Sequence, residues 1–383
     1  MIFKINPNHN YDLSLLKTHI CTVPFMQFQI YEDGNVEVCC RSWMRKSIGS
    51  LETQTAKEIL ESPVLKHIIT DMEEGKWSYC SDLCPTLITA LNSDKNKASF
   101  SQNIIPRDKT DGILNRDKFY LVYFNNDRSC NLQCPSCRNE FIHVSSTKSP
   151  EQFAWLKTIQ DRAQDLVEQL LLREDGRTVA LNITGSGDPF ASELYWNYLL
   201  ELNEKINRPE YSKLRIKLQT NGVLMTPERM EKIKNLWSSI DWISVSIDAT
   251  TQETYSVVRK RGNLDAVKKN VEWLNERAKN NEIGVGGTYL NWTVNFIVQA
   301  DNYKEMADFA KYYTQFETIY KIWLNPIDDW GHMKLIDTAL FSKKAIWSKE
   351  HTEHNNFIEI LKDPIFDHEK VDIGTIALFR PKS

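Results

Sequence analysis

Eight cysteines stand at positions 21, 39, 40, 80, 84, 130, 134 and 137, and none follows. Cys130, Cys134 and Cys137 fall within a single short stretch, CNLQCPSC. Thiolates so close in sequence can converge on one centre, and sulfur donors select soft metals, so the stretch reads as a site for zinc or for an iron–sulfur cluster. Zinc would ask for a fourth ligand nearby, and His143 is the closest histidine in sequence. Cys21, one of the adjacent pair Cys39 and Cys40, Cys80 and Cys84 could form a second four-sulfur set, for which a structural zinc knuckle is one reading. Eight cysteines are too few to staple 383 residues together. In a reducing cytoplasm, clustered cysteines more often bind metal than pair with each other.

The rest of the composition bounds the partners. The opening MIFKINPNHN has neither the basic region nor the apolar run of a signal peptide, and no stretch is apolar for long enough to span a bilayer. The expectation is a cytoplasmic protein with no membrane partner. With 47 Lys+Arg against 51 Asp+Glu, the net charge of −4 gives no general attraction to nucleic acid. A hydrophobic share of 41% with 26% charged residues suits a folded chain and excludes whole-chain disorder.

The elements that must position the cysteines alternate regularly. Strands are expected at Phe119–Phe124, Val179–Thr184, Leu214–Thr220, Trp242–Ile247, Trp292–Val298 and Ile319–Leu324, each separated from the next by helical sequence. One long helical run is expected from Gln252 to Ala278, and Thr226-Pro227-Glu228 reads as a helix start with Thr226 as N-cap. Six strands joined through helices imply α/β architecture with parallel pairing and right-handed crossovers. The apolar character of several strands suggests burial on both faces. Either an open doubly wound sheet or a complete or partial barrel fits, and in both the chemistry belongs on loops at the C-terminal strand ends.

Ahead of this repeat, Phe25–Tyr31 and Asn35–Cys40 read as a hairpin closed by Asp33-Gly34, with helical sequence in TAKEILES and PVLKHIITDMEEG. The polar stretch from Asn92 to Lys118 reads as a linker. One helix, HTEHNNFIEILKD, is expected in the C-terminal tail.

The spacing CxxxCxxC after the first strand resembles the radical SAM superfamily. Further motifs follow in the family's order: Gly185-Ser186-Gly187-Asp188 where a Gly-Gly-Glu-like motif is usual, Thr220-Asn221-Gly222 like the Thr-Asn-Gly motif, Ser244 to Ala249 with Ser246 and Asp248 ending the fourth strand, and Tyr255 to Arg259 before Arg261-Gly262. Asp188 in place of glutamate, and Ser136 where an aromatic is common, depart from the pattern without removing a cysteine. The resemblance implies a partial (β/α)6 TIM-like barrel over 119–335. It also implies a [4Fe–4S] cluster on Cys130, Cys134 and Cys137, with one iron open to S-adenosylmethionine, whose reductive cleavage yields a 5′-deoxyadenosyl radical. By the same resemblance Gly185, Ser186, Gly187, Asp188, Asn221, Ser246, Asp248 and Arg259 surround S-adenosylmethionine, Arg259 as a two-pronged donor to its carboxylate.

The N-terminal cysteines resemble the SPASM module and its shorter twitch form, which carry an auxiliary iron–sulfur cluster. The Asp-Gly turn followed after four residues by a cysteine favours Cys39 over Cys40, beside Cys21, Cys80 and Cys84. Such modules normally follow the barrel; here the module precedes it. The implied organisation is an auxiliary-cluster module over 1–100, a linker over 101–118, the core over 119–335 and a helical tail over 336–383. Implied partners are a peptide or small-molecule substrate and a reductant such as flavodoxin or ferredoxin. Position alone makes Cys40, Asp328 and His332 candidates for catalysis, with Asp329 beside them. A carbohydrate or aminocyclitol dehydrogenase or epimerase of the same superfamily is the alternative, and a non-catalytic iron–sulfur or zinc-binding protein is the reading from another class.

Overall fold

The Asp33-Gly34 turn closes its hairpin as expected, because Gly34 adopts the positive φ of 75° that the turn needs. The Asp33 carboxylate accepts the Asn35 backbone N–H at 3.1 Å. This computed structural model describes residues 14–44, 46–81, 84–92, 103–107, 119–287, 290–328 and 338–381. The chain divides into two compact units, one formed by Met1–Asp127, Pro150–Asn182 and Pro209–Leu214, the other by Arg128–Ser149, Ile183–Arg208 and Arg215–Ser383.

The strands of the first unit are β1 (His19–Cys21), β2 (Gln27–Tyr31), β3 (Asn35–Glu37), β4 (Ser47–Ser50), β5 (Ile104–Pro106), β6 (Phe119–Asn125) and β7 (Thr178–Ile183). Their main sheet runs in the order β7-β6-β2-β3-β4. Strand β2 lies parallel to β6, with Phe28 beside Val122, while β2, β3 and β4 form an antiparallel meander. The second hairpin strand ends at Glu37 rather than Cys40. A register shift at Val36/Glu37 breaks the pairing, and the Cys40 carbonyl accepts the Trp43 and Met44 N–H groups in a turn. Helices Ala56–Leu60 and Pro63–Glu73 follow, the first started by a Thr55/Glu58 capping box and the second by Ser62. Within the stretch read as a linker, Ile104 and Ile105 are β-branched, and β5 pairs antiparallel with β1. Residues 93–102 and 108–118 lie outside the described residues.

In the second unit, β8 (Leu214–Thr220), β9 (Ile240–Ser246), β10 (Asn291–Val298), β11 (Ile319–Pro326) and β12 (Val371–Asp372) are parallel in that order. The tail contributes β12 as well as the expected helix, His354–Ile360. Thr226 caps its helix by accepting the Arg229 N–H, with Pro227 at the first position. The run from Gln252 splits into Gln252–Val258 and Leu264–Lys279, separated by Arg261 at φ 76° and restarted by Asn263, whose side chain accepts the Ala266 N–H.

Strand β7 is buried on both faces over Val179–Ile183, whereas burial alternates along β8, over Val294–Val298 of β10 and over Lys321–Asn325 of β11. Leu218, Val245, Val294 and Phe296 lie on the buried apolar face, where Phe296 meets Phe309 of helix Met306–Tyr313 with ring centroids 4.8 Å apart. Register places Gln219 beside Ser244, Ser246 beside Asn295 and Asn295 beside Trp323 on the opposite, polar face. A strand with one apolar and one polar face must alternate because successive side chains point to opposite sides.

Candidate functional site

The cysteine loop is shaped by its own backbone. Cys130 N–H donates to Ile142 O at 2.9 Å, and Cys137 and Arg138 N–H both donate to Cys134 O, at 2.9 and 3.0 Å. Cys130 and Cys134 are buried and Cys137 half-buried, packed with Leu132 and Val223. Burial pushes the Cys130 thiol up to about 12, Asp188 adds to the rise and Arg138 opposes it. Burial also raises Cys134, opposed chiefly by Arg259. A dry pocket of this kind disfavours bare thiolates, so cations and hydrogen-bond donors decide what it can hold.

Each sulfur has such a donor. Cys130 Sγ accepts from Leu132 N–H at 3.4 Å and Asn221 Nδ2 at 3.6 Å, Cys134 Sγ from Arg259 Nη1 at 3.8 Å, and Cys137 Sγ from Arg138 Nη2 at 3.5 Å. Three sulfurs, two guanidiniums and an amide form a surround suited to an anionic thiolate-bound cluster. Two polar atoms in the same region, Arg259 Nε and Tyr255 Oη, are buried without a hydrogen-bond partner. The donor set therefore fits an iron–sulfur centre.

The loops after β7, β8 and β9 stand around this pocket. Asp188 is fully buried: Oδ1 accepts Phe190 N–H at 3.0 Å, while Oδ2 accepts Thr220 Oγ1 at 2.8 Å and Asn221 N–H at 2.9 Å. Its carboxylate is thus engaged within the protein, tying two loops together. Gly185 is exposed, and the Ser186 and Gly187 N–H groups donate to Thr184 Oγ1. Asn221 bridges to Asn131 Oδ1 at 2.8 Å. Gly222 holds φ 77°, where a Cβ would come 2.8 Å from Val245 Cγ1.

Asp248, at φ 66°, is fully buried and pairs with Arg259 Nη2 at 2.7 Å. Oδ1 of Asp248 accepts Ile297 N–H at 2.7 Å. Arg259 is thereby fixed by a protein carboxylate while its other nitrogen faces Cys134. Burial opposes its charge, yet Asp248 and Cys134 hold its pKa above the usual value. Helix Gln252–Val258 is capped by Thr251, not Asp248. Ser246 is half-buried on the polar strand face.

In the first unit, Cys21 ends β1, Cys39 lies two residues past β3, and Cys80 and Cys84 precede helix Pro85–Asn92. Cys21, Cys80 and Cys84 pack against Ile20, Met72, Trp77, Leu87, Ala90 and Ile104. The Asp71 carboxylate accepts both Ser78 N–H and Ser78 Oγ, which fixes the turn into Cys80. Burial lifts Cys21 to about 12, with Cys84 adding to the rise. Burial also raises Cys80, and Cys21, Cys39 and Cys84 raise it further, so these four sulfurs share one neighbourhood. Cys40 lies within electrostatic reach of Cys39, Cys84, Tyr31 and Tyr123.

Among the described residues, no three His, Cys, Asp or Glu side chains close on a single point as one metal ion requires.

Asp328 is exposed beyond the end of β11, and Asp329 and His332 lie outside the described residues. Sequence reasoning missed Arg138 and Leu132 as donors to the sulfurs. For Arg138 the only signal was its place directly after Cys137.

Comparison with known proteins gives the class first. Residues 21–85 match the SPASM iron–sulfur cluster-binding domain, a span from Cys21 to the residue after Cys84. Residues 128–310, a little under half of the chain, match the radical SAM superfamily. The matched radical SAM domain is one that uses a [4Fe–4S] cluster and S-adenosylmethionine, and the matched SPASM domain indicates an additional iron–sulfur cluster. Two solved structures of the radical S-adenosylmethionine methyltransferase TsrM from Kitasatospora setae are similar. One has tryptophan substrate and the analogue aza-SAM bound: it is 11% identical over 56% of this chain and 36% of its own, with a TM-score of 0.38. The other has cobalamin and a [4Fe-4S] cluster bound: it is 12% identical over 52% of this chain and 35% of its own, with a TM-score of 0.36. The matched part thus spans about a third of those structures' length. No curated protein matches. Among the described residues, no helix is long and apolar enough to cross a membrane.

Proposed function

We propose that this enzyme removes a hydrogen atom from an unactivated carbon of a peptide or polar small molecule, with the Cys130 loop holding the cluster that binds S-adenosylmethionine. The observation that carries the reading is the donor aimed at each of the three loop sulfurs. When bound, the cluster and S-adenosylmethionine supply reductive carbon–sulfur cleavage and, through it, hydrogen abstraction. The chain's own part is to position and to exclude water. Leu132 and Val223 cover the sulfurs, Asn221 and the two arginines offset their charge, and Asp248 orients Arg259. Ser246 and the Gly185–Gly187 backbone are the assigned cofactor contacts, because Asp188 is engaged with Phe190, Thr220 and Asn221.

Cys21, Cys39, Cys80 and Cys84 are assigned to the auxiliary cluster, which ligates substrate or accepts an electron, with flavodoxin or ferredoxin as external donor. The polar strand face supports a second reading. Gln219, Ser246, Asn295 and Asn325 offer amides and a hydroxyl, groups that both donate and accept, which suits a polyhydroxylated carbohydrate or aminocyclitol. Anaerobic incubation of fully reconstituted protein with dithionite and S-adenosylmethionine tests the main proposal. Release of 5′-deoxyadenosine above a Cys130→Ala control is expected; release equal to the control refutes it.

A further inference from the structure

Among the described residues, Arg138 differs from the other cation at the cysteine loop in having no carboxylate partner. Its side chain is 4% exposed. Nη1 donates to Arg128 O and Nη2 to Ser186 O, both at 2.7 Å, and the Arg138 backbone N–H is fixed on Cys134 O. That anchoring leaves Nη2 3.5 Å from Cys137 Sγ. Arg259 is neutralised in part by Asp248, whereas Arg138 interacts most strongly with the loop sulfurs of Cys137, Cys130 and Cys134. A guanidinium cannot lose its proton at ordinary pH, so a full charge stands here, in a pocket poor in water.

We propose that Arg138 sets the reduction potential of the loop cluster, its fixed charge favouring the reduced, more negative state. The inference rests on the assignment of Cys130, Cys134 and Cys137 to that cluster. Cluster potentials respond to net charge, to hydrogen bonds on sulfur and to exposure, and Arg138 supplies the first two while its burial limits the third. A residue that only clamped the Arg128 and Ser186 carbonyls would need donors but no charge. The two roles separate on substitution: Arg138→Gln keeps an amide donor and removes the charge, and Arg138→Lys keeps the charge and loses the fork.

The experiment is an EPR-monitored redox titration of the reconstituted holoenzyme without S-adenosylmethionine, following the signal that S-adenosylmethionine alters when added afterwards. Arg138→Gln is expected to lower the reduced-to-oxidised ratio at fixed potential about tenfold, a shift of about 59 mV for one electron. Arg138→Lys is expected to recover at least half of that shift. An Arg138→Gln protein with full iron and an unchanged midpoint overturns the proposal, and so does one whose only defect is weaker S-adenosylmethionine binding. Where Arg138→Gln loads iron poorly, restored loading in Arg138→Lys supports the charge role and equally poor loading overturns it. A Cys130→Ala protein that keeps the S-adenosylmethionine-sensitive signal would instead refute the underlying cluster assignment.

Discussion

Asp188 stands where the family carries a glutamate, and its geometry makes a prediction opposite to a ligand-binding role. Removing its carboxylate in Asp188→Ala leaves Phe190 N–H, Thr220 Oγ1 and Asn221 N–H without their acceptor in a fully buried place. The Thr220 hydroxyl can turn to another acceptor, but the two backbone donors cannot. At about 1–3 kcal/mol for each stranded donor, the loss is about 2–6 kcal/mol, a large share of a stability of about 5–15 kcal/mol. Asp188→Asn keeps one acceptor oxygen and turns an amide N–H toward a donor, so a loss of about 2–3 kcal/mol is expected. Urea unfolding followed by far-ultraviolet circular dichroism on cluster-free protein measures both, since no cofactor contact contributes there. An Asp188→Asn protein within about 0.5 kcal/mol of wild type, with S-adenosylmethionine affinity down tenfold after reconstitution, would refute the reasoning and return Asp188 to the cofactor.

Three further outcomes follow from other parts of the structure. The Glu305 carboxylate accepts from Thr250 N–H and Oγ1, Thr251 N–H and Oγ1 and Thr254 Oγ1; burial pushes its pKa up, but these bonds outweigh it and hold it below the usual value. A lowered folded pKa gives stability that is present above the unfolded value of 4.5 and lost as pH falls through the folded one. Glu305→Gln should therefore cost about 1–3 kcal/mol in urea unfolding at pH 7 and progressively less below pH of about 4; a gap independent of pH contradicts this. Gly222→Ala places a methyl group against Val245 at a positive φ, so a loss of about 1–3 kcal/mol is expected by the same assay, and a neutral result refutes the strain. Reconstituted wild type should hold about eight irons per chain, falling to about four in Cys39→Ala and staying near eight in Cys40→Ala. Iron loss only in Cys40→Ala would exchange the two assignments.

What the sequence disclosed was whatever local chemistry encodes. Thr226-Pro227, Asp33-Gly34 and the six strand cores are short-range signals, and the structure places them within one or two residues of expectation. The polar face of β8 was also legible, since LRIKLQT alternates residue by residue, but the apolar weight of its neighbours masked it. Arg138 was illegible because an arginine after a cysteine looks like any surface cation until Arg128 O and Ser186 O are seen to bury it. Asn302 illustrates the other limit. It donates to Asp248 O and Ile297 O, both at 2.9 Å, and so fixes a residue 54 positions away that holds an unusual φ. No local pattern signals that bond; it exists because β10 pairs parallel with β9, which sets the turn after β10 beside the end of β9.

The same long-range ties bear on how the site works. Asp188 N–H donates to Ser129 O, its carboxylate binds Thr220 and Asn221, and Asn221 reaches back to Asn131 in the cysteine loop. Gln133 N–H donates to Lys260 O, joining that loop to the segment carrying Arg259, and Asn270 Nδ2 holds the Gly222 and Val223 carbonyls at 2.8 and 3.2 Å. Every loop that presents a group to the sulfurs is thus fixed by a neighbour, through buried bonds that need no cofactor. Preorganised donors lose little entropy when an anion arrives, and they cannot relax to follow a change in its charge. A rigid surround of this kind acts differentially on the two redox states, which is the condition for a fixed guanidinium to move a potential and not merely to assist cluster binding.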